Sequence, residues 1–373
     1  MSVADFTYPY SPDLIPSGPD QGEGMWRWRR LLPLDGSATY PLPVGGTPLI
    51  APPRLRQELG LPGLVLKDET RTPTGSNKDR ATALCLTDAL RRAAPAIAAA
   101  SSGNVAVSLA AGAAATGIAA YLFVSKQAVS PHKVGLMRSF GATVFLVDGT
   151  YETAYRLCEA ACERFGWYSR NTGANPLALQ GKKTVAFEVW EQLGRTMPQA
   201  AYLPVGDGVT LAAFAHGCEE LVRCGVAARV PRLIGVQASG AAPLASAFVE
   251  GRSEWAPVET RTIADGIAVG DPFFGKQALE AVRRTGGEFV CVSDGQLREA
   301  VALLARSAGL LAEPAGAAAL AGLIAHRSAG RSPAGIVLAP VTGTGLKDQR
   351  WLPNESGRAI EVPAELSAIS AHL

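Results

Sequence analysis

The sequence predicts an α/β fold with two domains, and two features of the chain lead to this prediction. Apolar runs of strand length alternate with stretches of helix length along most of the chain, which is typical of a parallel sheet covered by helices. The chain has 373 residues, of which 47% are hydrophobic and 18% are charged. Such a chain can bury a substantial core, and its length favours two domains over one.

The alternation begins near residue 64 and continues to residue 340. The strands that it predicts are 64–66, 96–100, 118–124, 143–147, 201–205, 233–236, 290–292 and 335–340. The helices that it predicts are 81–93, 104–116, 132–140, 152–165, 181–193, 210–224, 275–284, 296–308 and 315–325. We expect residues 84–168 to form a small α/β domain that interrupts a larger domain made of residues 46–83 and 169–373.

The N-terminal region is rich in proline. We therefore expect residues 1–45 to form an extended arm and not a packed unit, although Trp26, Trp28 and Leu31 are suited to docking on a neighbouring surface. The region holds acidic residues and prolines where a secretory signal would have a basic segment followed by an apolar one. A cytoplasmic protein is therefore expected.

The formal net charge of +2 provides no strong field for nucleic acid or an anionic membrane surface, so neither is expected as a partner. The apolar stretch at residues 309–324 is rich in alanine and glycine and contains Glu313 and Pro314, which favours core packing over a membrane span. The six cysteines form no C-x-x-C pair, and no histidine lies near Cys158 and Cys162. No metal site is therefore predicted, and we interpret the cysteines as buried thiols.

Residues 67–80 read KDETRTPTGSNKDR and lie between the first predicted strand and the first predicted helix. Pro73 and Gly75 favour a sharp turn there, and Ser76 is a candidate N-cap. Lys78 is therefore expected at the helix entrance, where the helix dipole and burial both lower the pKa of its amine. A neutral amine is what a lysine needs to react with an aldehyde. The alternative is a solvated surface lysine.

Three further segments follow predicted strands and are rich in small residues. Residues 100–104 (ASSGN) and 204–210 (PVGDGVT) connect strands to helices, whose N-terminal amides point into the cleft beyond the sheet edge. The second turn can hold a phosphate, bind a dinucleotide or be a plain connection. No G-x-G-x-x-G pattern follows it, so a nicotinamide site is poorly supported. Residues 341–348 (VTGTGLKD) follow the last predicted strand.

Taken in order, these segments resemble motifs of the fold-type II pyridoxal-phosphate (PLP) enzymes, and most closely those of the threonine synthases. Residues 67–80 resemble K-D-E…N-P-T-G-S-F-K-D-R, with Asn77 in place of the usual Phe. Residues 101–104, 204–210 and 341–348 resemble the family's S-G-N, P-V-G-S-G-G-T and L-T-G-x-G-L-K-D motifs. The joint agreement extends over most of the chain.

The resemblance implies an α/β fold of two three-layer α/β/α domains with PLP in the cleft between them. It implies that Lys78 carries the cofactor, that Asn104 bonds its phenolic oxygen, and that Thr342 offers a neutral hydroxyl to its pyridine nitrogen. The residues implied to cradle its phosphate are Gly206, Asp207, Gly208, Val209 and Thr210. The residues implied to contact the substrate are Ser101, Ser102, Gly103, Asn104 and Asp207. A homodimer is also implied.

The activity that the resemblance implies is that of a PLP-dependent lyase of threonine synthase type, which performs β/γ-elimination or replacement on a small amino acid. Lys78 would remove the Cα proton, and the neutral partner Thr342 favours elimination over transamination. Within this class the candidates are threonine synthase itself, a threonine or serine dehydratase, and a divergent enzyme with another substrate. The alternatives outside it are a nucleotide-dependent α/β oxidoreductase and a non-catalytic relative.

Two residues depart from the pattern by which threonine synthases bind the phosphate of O-phosphohomoserine. Ala178 stands where N-P-x-R-L-E-G has arginine, and Asp207 stands where the cradle has Ser or Asn. The chain loses a charge-assisted donor and gains a like charge, and both changes weaken phosphate binding. A phosphorylated substrate is therefore disfavoured, and we expect Asp207 to meet a cationic or hydroxylated group of another amino acid.

If the chain compensates for these two changes, Lys182, Lys183 and Ser101 are the candidates. Residues 264–270 and 313–318 also resemble segments of the family. We interpret both as structural, with Glu313 as a candidate for a polar contact near the cofactor ring.

Overall fold

The computed structural model describes residues 6–18, 23–34, 40–127, 131–331, 333–348, 350, 357–366 and 369. Its strands are β1 (Leu49–Ile50), β2 (Leu64–Lys67), β3 (Ala96–Ala100), β4 (Ala119–Ser125), β5 (Thr143–Val147), β6 (Tyr168–Ser169), β7 (Ala200–Pro204), β8 (Arg232–Ala238), β9 (Glu288–Val292) and β10 (Val337–Leu338). Its α-helices are α1 (Pro53–Leu59), α2 (Lys78–Arg91), α3 (Asn104–Thr116), α4 (Pro131–Ser139), α5 (Tyr151–Phe165), α6 (Leu177–Lys182), α7 (Thr184–Gln192), α8 (Val209–Arg223), α9 (Pro243–Val249), α10 (Gly275–Arg284), α11 (Asp294–Ala308) and α12 (Pro314–Ser328).

The larger sheet has the strand order β1-β2-β10-β7-β8-β9. Its neighbours run parallel except β1, which pairs antiparallel with β2 at one edge. Because β10 lies between β2 and β7, the turns that follow these three strands leave the sheet side by side at its carboxyl edge. The lysine turn, the predicted phosphate cradle and Thr342 follow these strands and therefore meet at that edge.

Helices cover both faces of the larger sheet. Alternate residues of β7 point to opposite faces, as the pleat requires: Tyr202 joins a core built with α1, α11 and α12, while Leu203 joins a core built with α7 to α10. Both faces are apolar, which is why its strands read as continuous hydrophobic runs.

The smaller sheet has the order β5-β4-β3-β6, and all its neighbours run parallel. On one face Ile97 and Leu122 pack with α3 and α4. On the other face Phe123 packs with Ala154 and Cys158 of α5. The sheet takes in Ser169, one residue beyond the predicted boundary. The predicted fold class, two three-layer α/β/α domains, is confirmed, and none of the described helices is long and apolar enough to cross a bilayer.

The helix predicted at 181–193 is two helices, α6 and α7. The first of them, α6, begins four residues before the predicted start. The earlier start follows from Asn175, whose side-chain oxygen accepts a bond from the Leu177 amide at 3.0 Å. The interruption follows from Thr184, whose hydroxyl donates to the Gly181 carbonyl at 2.8 Å. A hydroxyl that bonds the preceding turn bends a helix. The short helices α1 and α9 carry no strong periodic signal and were not predicted.

The expectation of an extended arm is wrong over Gly24–Leu31, which forms 3₁₀ turns on the two sides of a kink at Trp28. Met25, Trp28 and Leu31 are fully buried. Their spacing of three residues matches the three-residue turn of a 3₁₀ helix, so they form one apolar stripe. The Trp28 ring packs against Phe187 of α7 with 5.1 Å between ring centroids, as docking of the arm requires. Residues 1–5, 19–22 and 35–39 of the predicted arm lie outside the described residues.

A buried network of charges joins the lysine turn to α7. The Arg80 guanidinium donates to Glu69 at 2.7 Å and to Glu188 at 2.6 Å, and the Lys67 amine donates to Glu188 at 2.7 Å. All four side chains are almost completely buried. Two cations face two anions, so the network is neutral and every charge has a partner. It fixes the first turn of α2, where Lys78 begins the helix.

Removing one member of this network should destabilise the protein strongly. Glu188→Ala leaves Lys67 and part of Arg80 without a counter-ion inside the core, and we expect a loss of about 3–5 kcal/mol in the free energy of unfolding. Urea unfolding at neutral pH measures it. Glu191→Ala is the matched control, because Glu191 pairs with Arg27 near the surface at 2.8 Å and its loss should cost less than about 1 kcal/mol. Equal losses in the two variants would contradict the larger contribution assigned to the buried pairs.

The same network predicts how stability depends on pH. Burial alone would raise the pKa of Glu188, but Arg80 and Lys67 outweigh burial and hold that pKa below its usual range. The stabilisation is therefore fully present above the unfolded pKa of about 4.3 and declines as the pH falls below that value. Wild type should lose stability between about pH 5 and pH 2 more steeply than Glu188→Gln, as urea midpoints across that range would show.

Candidate active site

Lys78 is the first residue of α2, and the turn before it is held against the segment that follows β10. The Asn77 amide donates to the Thr342 carbonyl at 3.0 Å, and Ser76 forms an antiparallel bridge with Gly343. Gly75 has φ +69°, and a Cβ there would lie 2.5 Å from the Thr344 side chain. Glycine is therefore required at this close approach.

The Lys78 side chain is partly buried and does not extend into solvent, so the surface-lysine alternative does not describe it. Its amine lies 3.2 Å from Oδ1 of Asn77. Burial lowers the pKa of Lys78, and the nearby carboxylates of Asp207 and Glu313 oppose that shift only in part. The predicted capping role of Ser76 is wrong: Asn77 occupies the N-cap position, and the Ser76 hydroxyl is buried with no hydrogen-bond partner among the described residues.

Residues 101–104 connect β3 to α3 and are partly exposed. The Gly103 amide donates to the Ser101 hydroxyl at 3.1 Å, and Ser102 lies between them in the loop. Asn104 begins α3, and its amide nitrogen donates to Glu313 at 2.6 Å. The Lys347 amine donates to the Asn104 side-chain oxygen at 2.6 Å. The small domain therefore reaches the other motifs through Asn104.

The turn from β7 to α8 has the form of an anion cradle. A Cβ on Gly206 would lie 2.8 Å from Cα of Ile267, and Gly208 has φ +87°, so neither position tolerates a larger residue. Within the described residues no protein acceptor bonds the amides of Gly206, Gly208 or Thr210. These amides lie at the N-terminus of a 15-residue helix, where anions are stabilised.

Asp207 occupies part of this cradle itself. Its Oδ1 accepts a bond from the Val209 amide at 3.1 Å, so one helix N-terminal donor is already satisfied by a carboxylate of the chain. Phe274 donates its amide to the Asp207 carbonyl at 2.8 Å and holds the turn in place.

A small cavity of about 20 Å³ lies between the lysine turn, the first turn of α8 and the segment after β10. Six of its lining residues are Asn77, Lys182, Leu203, Thr210, Pro340 and Thr342. The Thr342 hydroxyl makes only a long contact of 3.5 Å to the Ala315 carbonyl, which leaves it available to a ligand. Three of the four predicted segments line this cavity, although Lys78 and Asp207 themselves do not. The fourth, residues 101–104, reaches the segment after β10 through the bond from Lys347 to Asn104.

These features fit an aldehyde cofactor that carries a phosphate. Lys78 provides an amine whose pKa is lowered by burial, the glycine cradle provides unpaired amides, and Thr342 and Ser76 provide hydroxyls. A family model described as "Pyridoxal-phosphate dependent enzyme" matches residues 40–343. The chain belongs to this family. It is therefore an enzyme, and its cofactor is pyridoxal 5'-phosphate.

The most similar relatives include two threonine synthases. That of Mycobacterium leprae is 35% identical over 330 residues, which are 88% of this chain and 89% of that protein. That of Methanocaldococcus jannaschii is 34% identical over 348 residues, which are 92% of this chain and 84% of that protein. Among solved structures, a threonine deaminase from T.th. matches with a TM-score of 0.68 and 28% identity, covering 80% of this chain and 92% of that one.

Sequence reasoning gave no role to Arg170, which the structure places near the site. Arg170 is fully buried; it donates to the hydroxyls of Thr82 and Thr172 at 3.2 Å, and its Nη2 has no partner among the described residues. Burial lowers the pKa of Arg170, and the carboxylate of Asp207 acts against that shift. No motif in the sequence indicated that Arg170 lies near the site, because its surroundings include residues that are distant from it in the sequence.

A second polar cluster lies on α5, away from the cradle. Ligand atoms of Cys158, Glu159 and Cys162 lie within 4.8 Å of one another. The sequence analysis considered cysteine pairs and nearby histidines as metal ligands, and it did not consider Glu159. Its carboxylate accepts bonds at 2.6 Å from the Ser169 hydroxyl and the Asn171 amide nitrogen.

Lys78→Ala should abolish covalent attachment of the cofactor. We expect the wild-type protein to show a visible absorption band that borohydride removes, and the variant to show no such band because no amine is left in position. Absorption spectra before and after reduction, with mass spectrometry of the reduced protein, provide the measurement. Lys126→Ala, on the exposed end of the small sheet, is the control and should behave as wild type. A persistent reducible band in Lys78→Ala would assign the attachment to another lysine.

Proposed function

We propose that the protein is a PLP-dependent lyase of threonine synthase type that acts on a small amino acid. The proposal is supported by the turns of Lys78, the glycine cradle and Thr342, which follow neighbouring strands at one sheet edge, and by Asn104, which bonds to Glu313 and Lys347 there. It is also supported by the 33–35% identity of the chain to threonine synthases over most of its length. Threonine synthase itself is the first activity to test, because it is the activity named for those relatives.

Each of these groups has a task that its surroundings support. Bound pyridoxal phosphate withdraws electrons from the substrate Cα. Lys78, whose pKa is lowered by burial, can accept the Cα proton and return it at a neighbouring carbon. The Ser102 amide at the α3 N-terminus suits the substrate carboxylate, whereas the Gly103 amide already donates to the Ser101 hydroxyl. Thr342 offers the ring nitrogen a neutral hydroxyl and therefore favours elimination over transamination.

The chain departs from the threonine synthases at two residues that would contact the phosphate leaving group. Ala178 is fully buried in α6, so the chain provides no cation at the position where threonine synthases have arginine. Asp207 lies in the cradle, but its carboxylate is within electrostatic reach of Lys78, Lys182 and Arg170. These basic residues offset part of the charge of Asp207, which supports a cleft that still accepts an anionic substrate group.

A threonine or serine dehydratase is the second candidate. The threonine deaminase from T.th. supports it, because its structure covers 80% of this chain. The two activities differ in their products: a dehydratase releases ammonia and a 2-oxo acid from threonine or serine, whereas threonine synthase releases phosphate from O-phosphohomoserine.

A substrate panel decides between these activities. We expect the protein with bound cofactor to release phosphate and form threonine from O-phosphohomoserine at a higher kcat/KM than it deaminates threonine or serine. Phosphate, threonine and 2-oxo acid assays on each substrate provide the measurement. Deamination of threonine or serine as the faster reaction would replace the first candidate by the second.

Asp207→Asn tests whether the carboxylate opposes a phosphorylated substrate. The variant keeps an oxygen that can accept from the Val209 amide but removes the charge, so kcat/KM for O-phosphohomoserine should rise roughly tenfold, equivalent to about 1.4 kcal/mol. Cofactor affinity is measured in parallel, so that an effect on the cofactor is recognised. The Ala178→Arg change is a poorer test, because a large side chain at a fully buried position overpacks the core. An unchanged or lower kcat/KM would show that Asp207 does not oppose the phosphate.

We also propose a cytoplasmic homodimer, which the resemblance to fold-type II enzymes supports. Sedimentation equilibrium should then give a mass of about twice the 38.8 kDa of one chain. A single-chain mass across the concentration range would contradict the dimer.

A further inference from the structure

Lys182 is a buried amine that lacks a counter-ion. It is the last residue of α6 and is 4% exposed. Its amine donates to the Thr210 hydroxyl at 3.2 Å, and among the described residues no carboxylate lies within ion-pair distance of it. Burying a cation without an anion is costly, so a buried lysine normally has a partner in its own chain.

The next residue shows the usual arrangement. Lys183 is fully buried, and its amine pairs with Glu220 at 2.8 Å and lies 4.7 Å from the centre of the Tyr8 ring. Burial lowers the pKa of Lys183 to about 8 although Glu220 opposes that shift. The two adjacent lysines thus point to different places, Lys183 into an internal ion pair and Lys182 into the cavity at the cleft.

The groups that surround Lys182 suit an anion. Thr210, its hydrogen-bond partner, lies in the first turn of α8, next to the unpaired amides of the glycine cradle. Lys182 and Thr210 both line the small cavity that Asn77 and Thr342 also line. A phosphate in this cradle would face the carboxylate of Asp207, and a cation in the same place offsets that repulsion.

We propose that Lys182 and Thr210 form the receptor of a phosphate monoester in the cleft. The receptor compensates for the carboxylate of Asp207, because a dianion bound there meets the Lys182 amine, one hydroxyl and the N-terminus of α8, and the charge of the dianion favours the protonated form of that amine. Of the compensating residues that the sequence suggested, Lys183 is excluded by its pairing with Glu220. The source of the phosphate is the cofactor or a phosphorylated substrate. The inference rests on the cofactor of the family, and only its substrate arm rests on the proposed activity.

The cofactor arm of the test needs no substrate. Apoenzyme is titrated by absorption with pyridoxal 5'-phosphate and with pyridoxal, which has the same ring and aldehyde but no phosphate. In Lys182→Gln we expect the dissociation constant for pyridoxal 5'-phosphate to rise about tenfold or more, since a charge-assisted bond is lost, and that for pyridoxal to change less than about twofold. Lys182→Arg should restore most of the affinity for the phosphorylated form. Lys126→Gln is the surface control.

The substrate arm uses variants loaded with saturating cofactor. KM is measured for O-phosphohomoserine and for threonine, which has no phosphate. An unchanged cofactor affinity with a KM raised about tenfold for O-phosphohomoserine alone assigns the receptor to the substrate. Equal losses for pyridoxal 5'-phosphate and pyridoxal, or no change in either arm, overturn the proposal. Absence of any turnover counts against the proposed activity and leaves the cofactor arm to decide.

A binding measurement on the apoenzyme guards against a folding defect. Inorganic phosphate should raise the melting temperature of wild-type apoenzyme and of Lys182→Arg. The shift should be lost in Lys182→Gln and in Lys182→Met, which has a similar length and no charge. Circular dichroism shows whether each variant is folded. A phosphate shift of wild-type size in either folded neutral variant would overturn the proposal.

Discussion

The paired charges of Arg80 with Glu69 and Glu188 are the interaction on which the site depends. Arg80 lies two residues after Lys78 on α2, and its guanidinium is bonded on both sides by carboxylates at 2.6–2.7 Å. The first turn of α2 therefore cannot rotate without breaking buried ion pairs, which are costly to leave incomplete. A reactive amine at this place is positioned by a rigid charged core and not by its own short-range contacts.

Lys78 and the glycine cradle make different electrostatic demands on the cleft. A lysine that reacts with an aldehyde must be neutral, and burial among other cations favours that state. The cradle must accept a dianion, and cations favour that as well. Lys182 lies where both effects operate, because burial and the charge of Lys78 lower its pKa while Asp207 opposes the shift. The chain meets both demands with one set of basic residues and the nearby carboxylates of Asp207 and Glu313.

The sequence predicted most of the fold and the members of the site, because the turns that carry function follow strands of a parallel sheet and occur in a recognisable order. It missed features that depend on contacts across the chain. The break between α6 and α7 follows from one hydroxyl bonding to Gly181, and the 3₁₀ turns of the arm follow from a three-residue spacing within a proline-rich segment. The surroundings of Arg170 and Lys182 became visible only when β6, α6 and α8 were placed beside one another.

Asn104 is one of the side chains that bond across the two halves of the molecule, as is Lys133, whose amine donates to Asp265 at 3.1 Å. Asn104 belongs to the first turn of α3 in the smaller domain, and its oxygen and nitrogen are bonded by Lys347 and Glu313 of the larger domain. Separating the two halves would break both bonds at once. A ligand that bonds to the same carboxamide has to compete with Lys347 and Glu313 for it, so binding there affects a contact between the two sheets' domains.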